Sequence, residues 1–329
     1  MRCTSRMKRV CLGITLLLLL SSLCGCGSRI YAFPYNAEYG VSSFQIINTT
    51  NASFATSFAA DYCIVEKDIT NGDRIDMSRS NAALLCDVNH VETLYSKNAH
   101  ERLNPASLTK VMTALVAIKY GSMDQILTAG NCININESGA QLCGLKTGDT
   151  MTLSQALHIL LLYSANDVAM MVAEGVGGSV DHFIELMNQE AQEIGATNTS
   201  FANPHGLTAD SHYTTAYDLY LIFNEAIKYE AFREMIHMTS YNTVYYDTNG
   251  KEKEFSCNTT NLFLRGDYEM PENATVVGGK TGTTNAAGHC LILLSRDTAG
   301  DPYISVILRS DTRDDLYTEM SNLLGEIGK

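Results

Sequence analysis

Two side chains with complementary chemistry, Ser107 and Lys110, stand three residues apart near the start of an apolar segment. Positions i and i+3 lie on one face of a helix, so the amine of Lys110 can reach the hydroxyl of Ser107. A serine hydroxyl becomes a nucleophile when a neighbouring base takes its proton, and lysine is such a base when burial or a second cation keeps its amine neutral. The first helical turn also offers free N–H groups to a developing oxyanion. The pair therefore predicts acyl transfer by a serine nucleophile.

This spacing is a weak signal by itself. At ordinary residue usage, a Ser-x-x-Lys pair occurs about once by chance in a chain of this length, and a second copy is present at Ser5 and Lys8. Without further support, Ser107 and Lys110 indicate only the start of a helix that carries a solvated lysine.

Two further motifs favour the catalytic interpretation. The tripeptide Ser-Ala-Asn at 164–166 falls between two apolar segments that predict helices, so its hydroxyl and amide would be held rigidly at a cleft. The tripeptide Lys-Thr-Gly at 280–282 ends a glycine-rich run that predicts a strand, where a ligand backbone can approach closely. A second Lys-Thr-Gly at 146–148 precedes residue 164 and leads into a helix cap. It therefore lacks both the expected place after the Ser-Ala-Asn motif and the expected position at the end of a strand.

The segments that must position these motifs change in type along the chain. Short apolar runs predict a strand pair at 82–88 and 92–95. Helical patterns follow at 104–120, 152–163, 167–176, 180–194 and 215–229. Strands are predicted at 241–246, 275–284, 288–296 and 303–309, before a last helix at 313–327. Two early strands, a helical insertion and late strands predict an α+β fold in which the first and last parts meet in one sheet.

Local signals predict where two of these helices begin. Asn104 is a typical N-cap residue, and Pro105 suits the first helical position because its missing N–H costs nothing there. Thr152 and Gln155 have the spacing of a capping box, which predicts a helix start at that point.

The N-terminus predicts export and a tether. Residues 1–25 combine four positive charges with an apolar run and small residues, which is typical of an export signal. The sequence Leu-Cys-Gly-Cys at 23–26 resembles a bacterial lipobox, so Cys26 is the predicted lipid anchor; an ordinary cleaved signal and an uncleaved anchor are the alternatives. Residues 26–80 are predicted to be a tether with a possible short strand, and residues 81–329 the folded body.

Composition excludes several classes of function. The chain has 329 residues, 45% of them hydrophobic, and a formal net charge of −13, without the clustered basic residues of a nucleic-acid-binding surface. Neither a metal site nor a cofactor is predicted, because the cysteines of the body show no zinc-ligand spacing. Those six cysteines, whose disulfide state the sequence leaves open, are Cys63, Cys86, Cys132, Cys143, Cys257 and Cys290. A Cys132–Cys143 disulfide and free buried thiols are both compatible with the spacing.

Ser-x-x-Lys, Ser-x-Asn and Lys-Thr-Gly in this order are the motifs of penicillin-binding proteins and class A β-lactamases. From about 81 to 325 the chain resembles the D-alanyl-D-alanine carboxypeptidases, the low-molecular-mass penicillin-binding proteins. The match extends to the sequences at 105–110, 203–207, 212–218 and 279–283. The resemblance implies a penicillin-binding/β-lactamase-like fold, an antiparallel sheet flanked by a mainly helical subdomain with helices on its N- and C-terminal sides.

The resemblance also implies an activity and roles. The expected substrates are peptidoglycan stem peptides ending in D-Ala-D-Ala, and β-lactam antibiotics would acylate the same serine. Ser107 would be the nucleophile, Lys110 its base, Ser164 the proton relay to the leaving D-alanine, and Asn166 the residue that orients Lys110 and the peptide amide. The substrate-binding residues would be Lys280, Thr281, Gly282, Thr283 and Arg313. Arg313 has an equally simple interpretation as a surface arginine beside Asp314 and Asp315. The expected location is the outer face of the cytoplasmic membrane, with attachment through the lipid.

Several alternatives stay open at this point. A D,D-endopeptidase differs mainly in access to the cleft. A class A β-lactamase needs a glutamate that activates the deacylating water, and Glu193 is one residue away from the spacing of those enzymes. A non-enzymatic penicillin-fold binding protein would have lost a catalytic residue. His205 and His212 are interpreted as structural polar residues rather than as a metal or serine–histidine site.

Overall fold

The computed structural model describes residues 61–70 and 75–329. The predicted export signal at 1–25, the predicted lipid anchor Cys26 and most of the predicted tether lie outside these residues. In the described ranges, none of the helices has the length and apolar character needed to cross a membrane.

The elements of the described part are numbered here in chain order. The strands are β1 (Ser80–Asp87), β2 (Glu92–Lys97), β3 (Ile126–Thr128), β4 (Thr150–Thr152), β5 (Ser240–Tyr246), β6 (Glu252–Asn258), β7 (Thr275–Thr284), β8 (Gly288–Arg296) and β9 (Pro302–Ser310). The α-helices are α1 (Thr109–Tyr120), α2 (Leu153–Leu162), α3 (Asn166–Gly177), α4 (Val180–Ile194), α5 (Ala216–Ala226), α6 (Glu230–His237), α7 (Leu262–Arg265) and α8 (Arg313–Leu324).

The larger sheet is antiparallel and has the strand order β2-β1-β9-β8-β7. Strand β1 pairs with β9, with Ala83 opposite Ile307, so the beginning and the end of the folded chain share one sheet. This confirms the predicted α+β fold, with the helical segments inserted between the early and late strands. Strand β7 lies at one edge of the sheet, so one of its two sides is left available for other contacts.

A smaller antiparallel sheet has the order β3-β4-β5-β6. The predicted strand at 241–246 is part of β5 and belongs to this sheet. The other three strands of this sheet, β3, β4 and β6, were not predicted, and neither were helices α6 and α7. The smaller sheet joins distant segments through one pair of residues, Thr150 opposite Tyr246. Such a pairing depends on tertiary packing, which a local pattern does not encode.

Both faces of the larger sheet are covered, and β1 shows why its sequence is apolar throughout. Successive side chains of a strand point to opposite faces. Leu84 and Cys86 pack into the core on the side of the helical insertion, while Ala83 and Leu85 pack into a second core that includes α8. A strand with no solvated face reads as a continuous hydrophobic run. The two cores therefore bury both faces of β1.

The start of the first helix differs from the prediction. The residues Ala106–Leu108 form a 3-10 turn, and α1 begins only at Thr109. Asn104 does not cap the helix; its Nδ2 donates to the carbonyl oxygen of His212 at 2.9 Å. Ala106 has a φ of 48°, a left-handed conformation that a regular helix cannot include. The predicted capping box of Thr152, in contrast, is present at the start of α2.

Candidate active site

The turn that carries Ser107 is held in an unusual conformation. A left-handed alanine costs on the order of 1–2 kcal/mol, so its surroundings must stabilise it. The hydroxyl of Thr109 donates to the Ala106 carbonyl oxygen at 2.8 Å, and His212 Nε2 lies 2.8 Å from the same hydroxyl. Gly206 packs so closely that a Cβ there would lie 1.9 Å from the Ala106 oxygen. These contacts fix the backbone immediately before Ser107.

Lys110 is fully buried on α1, with its Nζ atom close to three oxygen atoms. The Nζ lies 2.9 Å from Ser107 Oγ, 2.7 Å from Asn166 Oδ1 and 2.6 Å from the carbonyl oxygen of His205. A neutral amine has two N–H groups and one lone pair. The amide and carbonyl oxygens can only accept, so they take the two N–H groups and leave the lone pair for the Ser107 hydroxyl. This geometry suits a base that removes the serine proton.

Electrostatics also favour a neutral Lys110. Burial lowers its pKa well below the usual lysine value, and the charge of Lys280 lowers it further, while Asp167 opposes this shift. Burial lowers the pKa of Lys280 to about 7. An anion bound beside Lys280 would favour its protonated form. The two lysines therefore suit different tasks, a neutral base and a cation that binds a carboxylate.

Ser164 and Asn166 lie at the junction between α2 and α3. Ser164 has a φ of 69°, which ends α2 and turns the chain so that α3 begins at Asn166. Lys280 Nζ donates to Ser164 Oγ at 3.0 Å and to the carbonyl oxygen of Thr281 at 2.8 Å. The motif on the helix junction is therefore joined directly to the motif on strand β7.

Strand β7 can pass close to the turn that carries Ser107 because residue 282 is a glycine. A Cβ added to Gly282 would lie 2.9 Å from the backbone nitrogen of Ser107 and 3.1 Å from the Cβ of Ala106. A residue with a side chain would therefore push the strand away from the serine. The hydroxyl of the preceding residue, Thr281 Oγ1, lies 2.6 Å from Thr260 Oγ1.

A cavity of about 450 Å³ opens at the serine. The predicted site residues that line it are Ser107, Ser164, Asn166, Thr281, Gly282, Thr283 and Arg313. Arg265, at the end of α7, also lines it. The sequence did not identify Arg265, because a single arginine outside any motif has no spacing that marks it. Among the described residues that line the cavity, none is acidic. The lining therefore has two cationic side chains and no acidic one, although Arg265 also pairs with Asp267 at 2.9 Å. The buried Lys280 does not line the cavity itself but contacts Ser164, which does.

Both histidines near the site have structural contacts. The carbonyl oxygen of His205 accepts from Lys110, and burial lowers the pKa of His205 to about 3. Burial likewise lowers the pKa of His212 to about 4. The N–H of Ala202 donates to His212 Nδ1 at 3.0 Å, so the imidazole proton is assigned to Nε2, which donates to Thr109. Both imidazoles are therefore neutral near pH 7.

Other candidates from the sequence lie away from the cavity. Glu193 is exposed on α4, where its Oε1 accepts from Gln189 Nε2 at 2.8 Å. Lys146 does not line the cavity; its backbone N–H donates to Asp149 Oδ2 at 2.9 Å. The six cysteines within the described ranges are free thiols. Over the same ranges, no group of three or more His, Cys, Asp or Glu side chains could hold a metal ion.

Comparisons with known proteins agree with this architecture. The peptidase S11 family model, described as D-alanyl-D-alanine carboxypeptidase, matches residues 69–312. The carboxypeptidase DacF of Bacillus subtilis (strain 168) is 32% identical over 256 residues, which cover 74% of this chain and 61% of that protein. The carboxypeptidase DacC of Escherichia coli (strain K12) is 32% identical over 279 residues, which cover 82% of this chain and 64% of that protein.

A solved structure shows the same fold. The crystal structure of the Streptomyces K15 DD-transpeptidase has a TM-score of 0.70 and 25% sequence identity, covering 76% of this chain and 97% of that one. The alignments with DacF and DacC span about three fifths of the length of those relatives.

Proposed function

Because the chain belongs to the D-alanyl-D-alanine carboxypeptidase family, we propose that it is a serine D-Ala-D-Ala carboxypeptidase. It removes the terminal D-alanine from peptidoglycan stem pentapeptides through an acyl-enzyme. The observation that carries this proposal is the 2.9 Å contact between the buried Lys110 amine and the Ser107 hydroxyl, beside a positive cavity.

Acylation begins with proton transfer from the serine. Ser107 Oγ attacks the carbonyl carbon of the penultimate D-alanine while its proton moves to the lone pair of Lys110. The C–N bond then breaks, and the leaving amine takes the proton that Lys110 accepted, relayed through the Ser164 hydroxyl, so Lys110 is neutral again. Ser164 suits this relay because it lies in the cavity wall and accepts a hydrogen bond from Lys280. Asn166 orients both the Lys110 amine and the amide of the substrate.

Deacylation uses the same groups in the opposite direction. A water molecule attacks the ester carbonyl and gives a proton to Lys110, which passes it to Ser107 Oγ as the ester C–O bond breaks. In both steps the backbone N–H groups of Ser107 and Thr283 stabilise the oxyanion. Gly282 supports this arrangement because it allows β7 to approach the serine turn closely.

The positive end of the cavity selects for a free carboxylate. Lys280 and the hydroxyls of Thr281 and Thr283 hold the terminal carboxylate of the substrate. Arg313 and Arg265, which line the same cavity, add charge that favours an anionic ligand. A β-lactam has a carboxylate and a reactive carbonyl at comparable positions, so it acylates Ser107 and stays bound because its ester is hydrolysed slowly.

The class A β-lactamase alternative lacks its required glutamate. Glu193 is exposed and outside the cavity, and no acidic residue is found among the described residues that line it. A D,D-endopeptidase uses the same catalytic groups and differs in which peptide fits the cleft, so product analysis separates the two activities. A binding protein without activity is disfavoured because every motif residue is retained.

The experiment combines a covalent probe with a product assay. The protein without residues 1–25 is incubated with a fluorescent penicillin and, separately, with a peptide that ends in D-Ala-D-Ala. We expect one covalent label per chain and release of D-alanine, both abolished by Ser107→Ala. Absence of label and release would refute the proposal, label without release would favour a binding protein, and rapid penicillin turnover would favour a β-lactamase.

Cys26 is proposed as the lipid anchor that holds the enzyme at the outer face of the cytoplasmic membrane. The lipobox-like sequence at 23–26 supports this proposal. Expression of the full chain with a radiolabelled fatty acid should give a labelled protein that begins at Cys26, and Cys26→Ala should abolish the label. A wild-type protein that carries no label but stays in the membrane fraction would instead indicate an uncleaved N-terminal anchor.

A further inference from the structure

The residue after Asn166 makes an unusual set of contacts. Asp167 is 2% exposed, and its carboxylate accepts hydrogen bonds from three consecutive backbone N–H groups. The donors are Cys143 at 2.9 Å, Gly144 at 2.8 Å and Leu145 at 3.1 Å. A buried carboxylate is stabilised by several N–H donors, and its position in the first turn of α3 is favourable to a negative charge. Asp167 therefore clamps a loop that is more than twenty residues away in sequence.

The same loop forms part of the cleft. The backbone N–H of Asn166 donates to the carbonyl oxygen of Gln141 at 2.8 Å. Gly139, Ala140 and Gln141 line the cavity that opens at the serine. Two adjacent residues of α3 therefore hold the segment 139–145 against the site. The side chain of Asn166 accepts from Lys110, so this attachment reaches the proposed base directly.

We propose that Asp167 is a positioning residue for the reaction described under Proposed function, on which this inference rests. It holds the segment 139–145 as one wall of the substrate cleft and fixes the start of α3. By fixing that helix start, it places the Asn166 amide that orients Lys110 and the substrate.

Asp167 also acts on Lys110 through its charge. The titratable groups that face Lys110 are Lys280 on β7, His205 and His212 on the segment between α4 and α5, and Asp167 on α3. Both histidines are neutral near pH 7, so Asp167 is the negative charge that opposes Lys280. Removing this charge lowers the pKa of Lys110, so the amine stays neutral down to a lower pH.

The test is Asp167→Asn, which keeps the shape of the side chain. A carboxamide has one accepting oxygen, and its NH₂ group cannot accept, so part of the clamp is lost together with the charge. We expect the rate constant for acylation by a fluorescent penicillin to fall about 10–100-fold at pH 8, because a small displacement of catalytic groups has such an effect. The acid limb of its pH profile should move to lower pH.

Asp149→Asn is the matched control, because Asp149 clamps the far end of the same loop. Its Oδ2 accepts from the Lys146 N–H at 2.9 Å and from Lys253 Nζ at 2.6 Å, and it does not line the cavity. This variant should lose thermal stability but keep the acylation rate and the acid limb of the wild type. If Asp167→Asn gave the same rate and acid limb as the control, Asp167 would be only a structural residue and the inference would fail.

A second variant disturbs the segment 139–145 but leaves the charge of Asp167 in place. Its result does not depend on whether Asp167→Asn folds. Gly144 has a φ of 86°, and a Cβ there would meet nothing within 4 Å, so Gly144→Ala strains the loop without a clash. We expect a several-fold higher KM for the D-Ala-D-Ala peptide and an unchanged acid limb. An unchanged KM would exclude the proposed role of the segment 139–145 as a wall of the substrate cleft. A wild-type protein that is not acylated at all would instead refute the proposed function.

Discussion

Lys280 Nζ lies 3.0 Å from Ser164 Oγ. This hydrogen bond joins the edge strand β7 to the junction of α2 and α3, which are far apart in sequence. Lys280 is 1% exposed and Ser164 is 7% exposed, so water screens the contact little. The cation proposed to bind the substrate carboxylate thus lies next to the hydroxyl proposed to carry the proton to the leaving group. A change at Lys280 should therefore affect both binding and proton transfer.

The first prediction concerns the basic limb of the pH profile. Lys280 must be protonated to bind a carboxylate, and burial lowers its pKa to about 7, so kcat/KM should fall as the pH rises above about 7. Lys280→Arg keeps the charge at any accessible pH, so the basic limb should move upward even if the maximum falls. The measurement is kcat/KM for a D-Ala-D-Ala peptide between pH 5 and about 9.5. A basic limb that stays in place would assign this ionisation to another group.

The second prediction concerns the proton relay. Ser164→Ala removes the hydroxyl that is proposed to carry the proton to the leaving amine, so kcat for D-alanine release should fall about 10²–10⁴-fold. Ser179→Ala is a suitable control, since Ser179 Oγ only caps α4 by accepting from the His182 N–H at 3.2 Å. The control should cost about 0.5–2 kcal/mol of stability and retain full activity. Equal activities of the two variants would exclude a role for Ser164 in proton transfer.

The third prediction concerns the close approach of β7 to the serine. Gly282→Ala places a Cβ 2.9 Å from the Ser107 nitrogen, so the strand or the turn must move and the oxyanion site must widen. Acylation by penicillin should slow by roughly 100-fold. Gly250→Ala is the control, because Gly250 has a φ of 75° and no atom within 4 Å of an added Cβ. It should lose about 1–2 kcal/mol of stability through backbone strain and keep the wild-type acylation rate. A normal rate in Gly282→Ala would contradict the prediction.

The fourth prediction concerns stability against acid. His212 is held neutral, and its folded-state pKa of about 4 lies below the usual 6.5. Between about pH 4 and about 6.5 the unfolded chain therefore binds more protons at His212 than the folded chain does. The contribution of neutral His212 to the free energy of unfolding is fully present above about pH 6.5 and is lost as the pH falls towards 4. The loss attributable to His212 should be about 3 kcal/mol. Urea unfolding at pH 7, 6, 5 and about 4.5 measures it.

His212→Gln tests the same residue without an imidazole. A glutamine keeps a donor for Thr109 but does not titrate, so the slope of unfolding free energy against pH should be smaller than in the wild type. An unchanged slope would assign the acid sensitivity to other groups, with His205 as the next candidate.

Much of the fold and of the candidate site could be predicted because the signals are local. The alternation and glycine content at 275–284 correspond to β7, and the capping box of Thr152 begins α2 as expected. The i, i+3 spacing of Ser107 and Lys110 indicated a contact, and the structure has it at 2.9 Å. Spacings of this kind act over one or two turns of backbone, so the residue types alone encode them.

Other features depend on contacts between distant segments. The helix was predicted to begin at Pro105, but packing against Gly206 and the bond to Thr109 favour a left-handed Ala106 and delay the helix to Thr109. Arg265 reaches the cavity only because α7 packs beside β7. A local pattern contains no information about which distant backbone will supply these partners.

The chain's own sequence thus determined which residues carry chemistry and the order of the elements that hold them. Only the tertiary structure decided their electrostatics, because burial and the arrangement of Lys110, Lys280 and Asp167 from three separate elements set which amine is neutral. The physical reason is that a pKa depends on desolvation and on charges a few ångströms away, and both arise only when distant segments pack together.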